Sequence, residues 1–439
     1  MNNDLAIETA WENSEAGTPE ESSTFAAIGI RFGNLWLTEA EDSFVNRIRQ
    51  QVYLSAYPLA EWLAWNWWRL RWEPRRHSHD WAMAHRMSNI GGGYVWPDIT
   101  VLSDGERIVL IPAPSRPRPS EPLRYLCQTP VVVRAPLFED AVDAFVQRVL
   151  SQLDSKGLRE SNLNRLWADL AEERGSPEIS RQRKLEALLG SDVDEADEKL
   201  IERLIEDVAV LGEPGVQELA AAHGGDRVPA SSAEIRDAVQ KFGFESNPRD
   251  AARLRAAIVR DLPTGTAAWK RGVAAARALR EQEGLGSAPI SNDRLCQLVG
   301  VGKATIDPKA KRGPLTFAFD EAQARASVVM RSGYETGRRF DLARLLGDRI
   351  AADMGILKPA TRTYTYRQKL QRAFAGEFLC PFDQLADILE GDFGEEAIED
   401  AAQHFRVSVL TVRTLLANHS MIDRDTLNDD FDVSTQLAA

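Results

Sequence analysis

The apolar positions along the chain follow two periods, and the change from one to the other divides it. An acidic, polar opening, MNNDLAIETAWENSEAGTPEESS, gives way at Thr24 to TFAAIGIRFGNLWL, which reads as a strand or hairpin with Gly33-Asn34 as turn chemistry. Residues 39–72 read as helical, with Pro58 marking a break or kink. YVWPDITVLSDGERIVLIPAP then predicts two strands around Ser103-Asp104-Gly105. Beyond the Pro-rich loop or linker SRPRPSEP (115–122), QTPVVVRAP adds a strand, and FEDAVDAFVQRVLSQL begins a long helix. From about 156 to 285 nearly every segment carries the helical period, including LNRLWADLAEERG, RQRKLEALLG and DEKLIERLIEDVAVLG. HGGDRVPASSAEI (223–235) has the composition of a boundary, with Ser232 placed to cap the next helix.

The predicted organisation is a disordered acidic leader (1–23), a Trp-rich α+β N-terminal domain (24–155), a helical middle region (156–285), a third domain (286–427) and an acidic tail (428–439). The fold class is α+β, predominantly helical.

Composition narrows the setting. A chain of 439 residues with 44% apolar residues can bury two to four cores and reads as globular. A formal net charge of −13 argues against nonspecific attraction to nucleic acid or anionic membrane. Cys127, Cys296 and Cys380 lie far apart and form no CxxC pair, which suits a reducing cytoplasm and no disulfide framework. The opening is neither a signal nor a transit peptide, and no apolar run approaches the ~20 residues of a membrane span. The expectation is a soluble, cytoplasmic protein.

The stretch RRFDLARLLGDRI (338–350) carries the most chemistry. Its apolar residues fall at helical spacing, and positions 344 and 348, at i and i+4, project from one face. Two histidines so placed grip one Zn²⁺ while an intervening Glu polarises bound water. Here the positions hold Arg344, Leu345 and Asp348. A guanidinium has no lone pair to give, and leucine is no base. Read without further context, Arg344 and Asp348 form an exposed i,i+4 ion pair on a solvated face.

Four flanking segments resemble the ImmA/IrrE-type (IrrE N-terminal-like) metallopeptidase family over roughly 265–425. RRF at 338–340 matches the lead into the family's zinc helix. In QKLQRAFAGEFLCP (368–381), Phe374, Ala375, Glu377, Leu379 and Pro381 match its following segment. AAWKRGVAAARALREQEGLGSAPISNDRLCQLVGV (267–301) resembles its W-x-x-G entry helix, and IEDAAQHFRVSVLTVRTLLANHSMI its closing helices. The resemblance implies a zincin-like domain at 286–427. It also implies metal positions that are all degenerate: Arg344, Leu345 and Asp348, with the third ligand position near Leu370, beside Gln368 and Gln371. No cofactor is expected, because no first shell for zinc remains.

Other signals stay open. EWLAWNWWRLRWEPRR (61–76) is either a buried central helix or an aromatic surface, in which Trp65, Trp68 and Trp72 with Arg69 and Arg71 stack bases or anchor a protein. His77, His79 and His85 are the densest histidines but read as a solvated loop. GGGY (91–94) and VGVGKAT (299–305) lack the Walker spacing of a phosphate cradle. Residues 395–422 fit two helices with a short turn, yet Arg406 and Arg413 are opposed by Glu395, Glu396, Glu399 and Asp400.

The expected function is therefore non-catalytic: a regulatory or protein-interaction module on a peptidase-like scaffold, with Arg344 and Asp348 as possible partner contacts. The family resemblance implies bacterial stress response, mobile-element control or phage defence. The rival expectations are an active zinc peptidase with non-standard ligands that cleaves a repressor, and a DNA-binding regulator using the C-terminal helices.

Overall fold

The computed structural model describes residues 4–115, 123–223, 228–320, 326–352, 355–423 and 427. The chain forms two compact units, Met1–Asp197 and Glu198–Ala439. Both mix helix and strand. Among the described residues no helix is long and apolar enough to cross a membrane.

The first unit begins earlier than the acidic opening suggests. Leu5–Trp11 is a strand (β1), antiparallel to Phe25–Phe32 (β2) in the register Leu5↔Phe32 to Trp11↔Ala26. It buries Leu5 and Ile7. The described part of the expected leader is thus built into the fold: the Gly33 N–H donates to the Asp4 carbonyl, and a capping box at Thr18 opens a short helix, Pro19–Ser23. The other edge of β2 pairs with Val52–Ser55 (β3). Residues 39–55 are thus strand and turn rather than helix. The helix starts at Ala56–Trp65 (α1), capped by the Ser55 hydroxyl. Pro58 falls inside its first turn, where no intrahelical N–H is required, and so causes no break. The break comes instead at Asn66, before Trp67–Trp72 (α2).

Asp98–Ser103 (β4) and Arg107–Ala113 (β5) form the hairpin, with Val131–Arg134 (β6) on the far side of β5. Phe138, Phe145 and Val149 of Ala135–Ser155 (α3) share a core with Trp62, Trp67, Trp68 and Leu70. Asn162–Gly175 and Pro177–Leu189 belong to this unit, so the helical middle region does not stand as a domain: it is divided between the two units. Residues 116–122 of the Pro-rich segment and the tail from 428 lie outside the described residues.

The second unit opens with Glu198–Leu211 (α4) and Glu213–Ala221 (α5). Its sheet is antiparallel and runs Phe244–Ser246 (β7), Ala326–Val329 (β9), Thr316–Asp320 (β8) and Leu357–Ala360 (β10) in spatial order. Against it lie Ala268–Gln282 (α6), Asn292–Val299 (α7), Glu335–Ala351 (α8) and Tyr366–Leu379 (α9). Two glycines permit the close helix approaches. A Cβ at Gly272 would stand 2.6 Å from the Leu370 carbonyl oxygen, and one at Gly347 would stand 2.5 Å from the Phe374 ring. The glycine of the W-x-x-G stretch therefore lets α6 reach the backbone of α9.

Gly272→Ala is expected to lower unfolding stability by about 1–3 kcal/mol, the usual scale of overpacking. Denaturant unfolding monitored at a matched m-value checks it.

Candidate functional site: a buried guanidinium cluster

Arg344 and Asp348 of α8 lie together with Gln368 and Gln371 of α9 inside the second unit. Helix α8 turns Leu342, Ala343, Leu346 and Ile350 toward the apolar core. Arg344 and Asp348 are buried too, at 6% and 0% exposure, so the exposed i,i+4 pair is corrected. Each is engaged elsewhere. Arg344 Nη2 donates to the Thr361 carbonyl at 2.6 Å and to Gln368 Oε1 at 2.5 Å, with Gln371 Oε1 at 3.3 Å. Its Nη1 stands 3.7 Å from Asp341 Oδ1. Asp348 accepts two hydrogen bonds from Arg367, at 2.7 and 2.6 Å, in the bidentate geometry that makes carboxylate–guanidinium pairs strong. Gln371 Nε2 donates to Asp348 Oδ1 at 3.0 Å and so bridges the two halves.

The same glutamines close the outer edge of β10. Gln368 and Gln371 both donate to the Pro359 carbonyl, at 2.9 and 3.2 Å, and the Thr361 N–H donates to Gln368 Oε1 at 2.9 Å. Leu370, where the sequence reading centres the third ligand position, packs into the apolar core at 1% exposure. The reason is helical phase: Arg367, Gln368 and Gln371 share one face of α9, while Leu370 and Phe374 share another. Leu345 is likewise core, at 1% exposure.

One acid reaches the cluster from outside the resembling segment. Glu218 of α5 is buried, and its carboxylate accepts from the Thr365 hydroxyl at 2.9 and 3.0 Å. Burial pushes its carboxyl up, and the charge of Arg367 only partly offsets that. Burial raises Asp341 in the same way, against the pull of Arg344. It lowers Arg344, against Asp341, Glu218 and Asp348. Arg372, which donates to the Thr363 carbonyl at 2.9 Å, is lowered to about 10 by burial and by Arg344. Sequence reasoning missed Glu218 and Arg367. A signal for Glu218 existed: with Gln217 it interrupts the apolar positions Val216, Leu219, Ala220 and Ala221, and it follows the small Gly215 by three positions.

The RRF residues serve the frame. Arg338, fully buried, donates to the carbonyls of Ser332, Thr305, Ala310 and Lys311. Arg339, also fully buried, donates to the carbonyls of Arg406 and Ile290 and to Asn292 Oδ1. Each guanidinium thereby pins loops that would otherwise hold unpaired carbonyls.

The remaining candidates are not assembled into a site. The aromatic-surface reading is corrected: Trp68 is buried and donates to Glu173, and Trp72 lies between the cations of Arg71 and Lys184, each 3.8 Å from its ring. Arg69 is buried on Glu73 and Asp192, and Arg71 on Glu139. Of the three tryptophans only Trp65 faces solvent, at 58% exposure. His85 is fully buried between the Val101 carbonyl and Glu73, whereas His79 is exposed. Among the described residues no group of three or more His, Cys, Asp or Glu is placed to hold a metal ion. Gly91, Gly92 and Gly93 form an exposed turn, and Gly300 ends α7 in the left-handed region. Glu395–Phe405 and Val409–Asn418 do form two helices, but Arg406 pairs with Glu335 and Arg413 with Glu395. The three thiols are buried; burial pushes Cys127 and Cys380 up and Cys296 up to about 11.

Comparison with protein-family models, with curated proteins and with solved structures finds no match.

Replacing Arg367 by Met strands the Asp348 carboxylate in the interior, and should cost about 3–5 kcal/mol. Adding Asp348→Asn should recover part of that loss; a double-mutant cycle in denaturant measures the coupling. The native thiols should react with a disulfide reagent far more slowly than those of the unfolded chain, as timed labelling will show.

Proposed function

We propose that the second unit is a zincin-like module of ImmA/IrrE type in which an internal ion-pair cluster replaces the metal centre. It acts as a non-catalytic regulatory or protein-interaction module. The observation that carries this reading is the convergence of positions 344 and 348 on α8 with Gln368 and Gln371 on α9. Positions 344 and 348 are those from which the resembling family's helix would present two ligands, while the third position, aligned near Leu370, neighbours the two glutamines on α9. Here a guanidinium occupies the centre, and the single carboxylate of the set is held by Arg367. Neither can bind a metal in that state, because one has no lone pair and the other has its oxygens committed.

A setting in stress response, mobile-element control or phage defence follows by analogy with the resembling family. Carboxylate pairing of Arg406 and Arg413 supports a protein partner over DNA.

Metal analysis of the purified chain tests the reading. The wild type should carry no zinc. The combined variant Arg344→His, Leu345→Glu, Asp348→His, Gln371→Glu should gain close to one zinc per chain. Stoichiometric zinc in the wild type, lost on changing His77 or His79, would sink the non-catalytic reading. A folded combined variant that takes up no zinc at any pH would sink the kinship.

A further inference from the structure

Arg338 does more than satisfy carbonyls, because the loops it joins are the basic ones. Residues 303–313 lead from α7 to β8, and residues 330–334 lead from β9 to α8. Arg338 Nη1 donates to the Thr305 carbonyl at 2.8 Å, and its Nη2 donates to the Ala310 and Lys311 carbonyls at 3.1 and 2.9 Å. Its Nε donates to the Ser332 carbonyl of the second loop at 2.8 Å. The Gly313 N–H adds a bond to the Met330 carbonyl at 2.9 Å. The loops also touch through Arg312, since a Cβ at Gly333 would stand 2.5 Å from its Nη1. Their side chains are thus presented from a fixed backbone.

The two loops hold five cations, Lys303, Lys309, Lys311, Arg312 and Arg331, and one carboxylate, Asp307, in a chain whose net charge is −13. Lys303 is paired with Asp293. Asp307 is turned back onto its own loop, where Oδ1 accepts from the Lys309 N–H at 2.8 Å. Arg331 lies near the half-buried Asp341, whose charge it shares with Arg344. Lys309, Lys311, Arg312 and Arg331 are all exposed, and among the described residues none of them forms an ion pair. Beside them Tyr334 stands out at 79% exposure, and Lys311 Nζ lies 5.3 Å from the centre of the Phe244 ring. Unpaired cations held around an exposed tyrosine match the composition of protein contact surfaces. The extent of the patch decides which anion suits it. It is bounded by the ion pairs Lys303–Asp293 and Arg406–Glu335. A few carboxylates on a short segment match that span, whereas a nucleic-acid strand running past it would meet the acid surplus of the rest of the chain.

We propose that this face docks an acidic segment of a partner protein, whose carboxylates meet Lys309, Lys311, Arg312 and Arg331 while an apolar side chain lies on Tyr334. The proposal rests on the non-catalytic reading for the purpose of the contact, and on the two loops alone for its chemistry.

The test titrates the full chain against a fluorescein-labelled peptide, EDEELEDE, and follows its anisotropy. The wild type should bind saturably at about 50 mM salt and at least about tenfold more weakly at about 500 mM, because exposed charge pairs are screened. Arg312→Glu should weaken binding by about tenfold or more. Lys156→Glu makes the same change of charge at an exposed site of the first unit, and should leave binding within about twofold. Tyr334→Ala should lower affinity by about threefold or more and leave the salt dependence as it was. All three side chains are exposed, so these chains should fold as the wild type does. Equal affinity in the Arg312→Glu and Lys156→Glu chains, or no saturable binding at low salt, overturns the proposal. Tighter binding of an oligodeoxythymidine of equal charge overturns it too, since the surface would then be a nucleic-acid site. Cleavage of the bound peptide defeats the non-catalytic reading and leaves the surface in place, whereas an intact peptide that fails to bind defeats only the surface.

Discussion

The second unit depends on how one buried cation is satisfied. Arg344 sits where helix α8, helix α9 and the edge of β10 meet, and it donates to groups from the last two. Taking a guanidinium out of water is costly, so the structure around it must return hydrogen bonds and opposite charge. The glutamines of α9 return the first, and Asp341, Asp348 and Glu218 the second. Asp348, Glu218 and the two glutamines are buried and Asp341 is half-buried, and each needs a partner. Arg367 is there for Asp348, and Thr365 for Glu218. The cluster is therefore an interdependent network that leaves Arg344 Nε buried without a hydrogen-bond partner, and changing one member strands another.

That interdependence separates this arrangement from a metal centre of similar outline. A metal ion can leave its ligands and return, but a guanidinium on a helix cannot. Arg344 and Asp348 here hold the interior together. The RRF arginines extend the principle, for Arg338 and Arg339 are enclosed by carbonyls with few or no carboxylates. Their role calls for planar, multidirectional donation, which lysine does not offer.

How much of this was legible in the residues depends on the range of the interaction. The hairpin at Ser103-Asp104-Gly105 and the strand at 131–134 follow from local alternation and turn chemistry, and both form. Helix α8 was legible from spacing, and so was the shared face of positions 344 and 348. Its burial was not, because an Arg–Asp i,i+4 spacing is the ordinary mark of a solvated face. What inverted it were Gln368, Gln371 and Arg367, which lie 19 to 27 residues away. Glu218 is farther still, 147 residues from Thr365, and no local period could connect them. Composition misled at the other end of the chain. The acidic average over the first 23 residues hid the alternation of LAIETAW, and two buried apolar positions suffice to seat a strand.

That first strand has a practical side. β2 is covered on one flank by β1 and on the other by β3. Trimming the chain to Thr24, as its acidic opening invites, would strip one flank and leave Ile28 and Ile30 in an uncovered edge. Bare edges of that kind recruit other chains, so the shortened protein would tend to precipitate or swap strands. Seven residues that look dispensable act as the molecule's guard against sticking to its own kind.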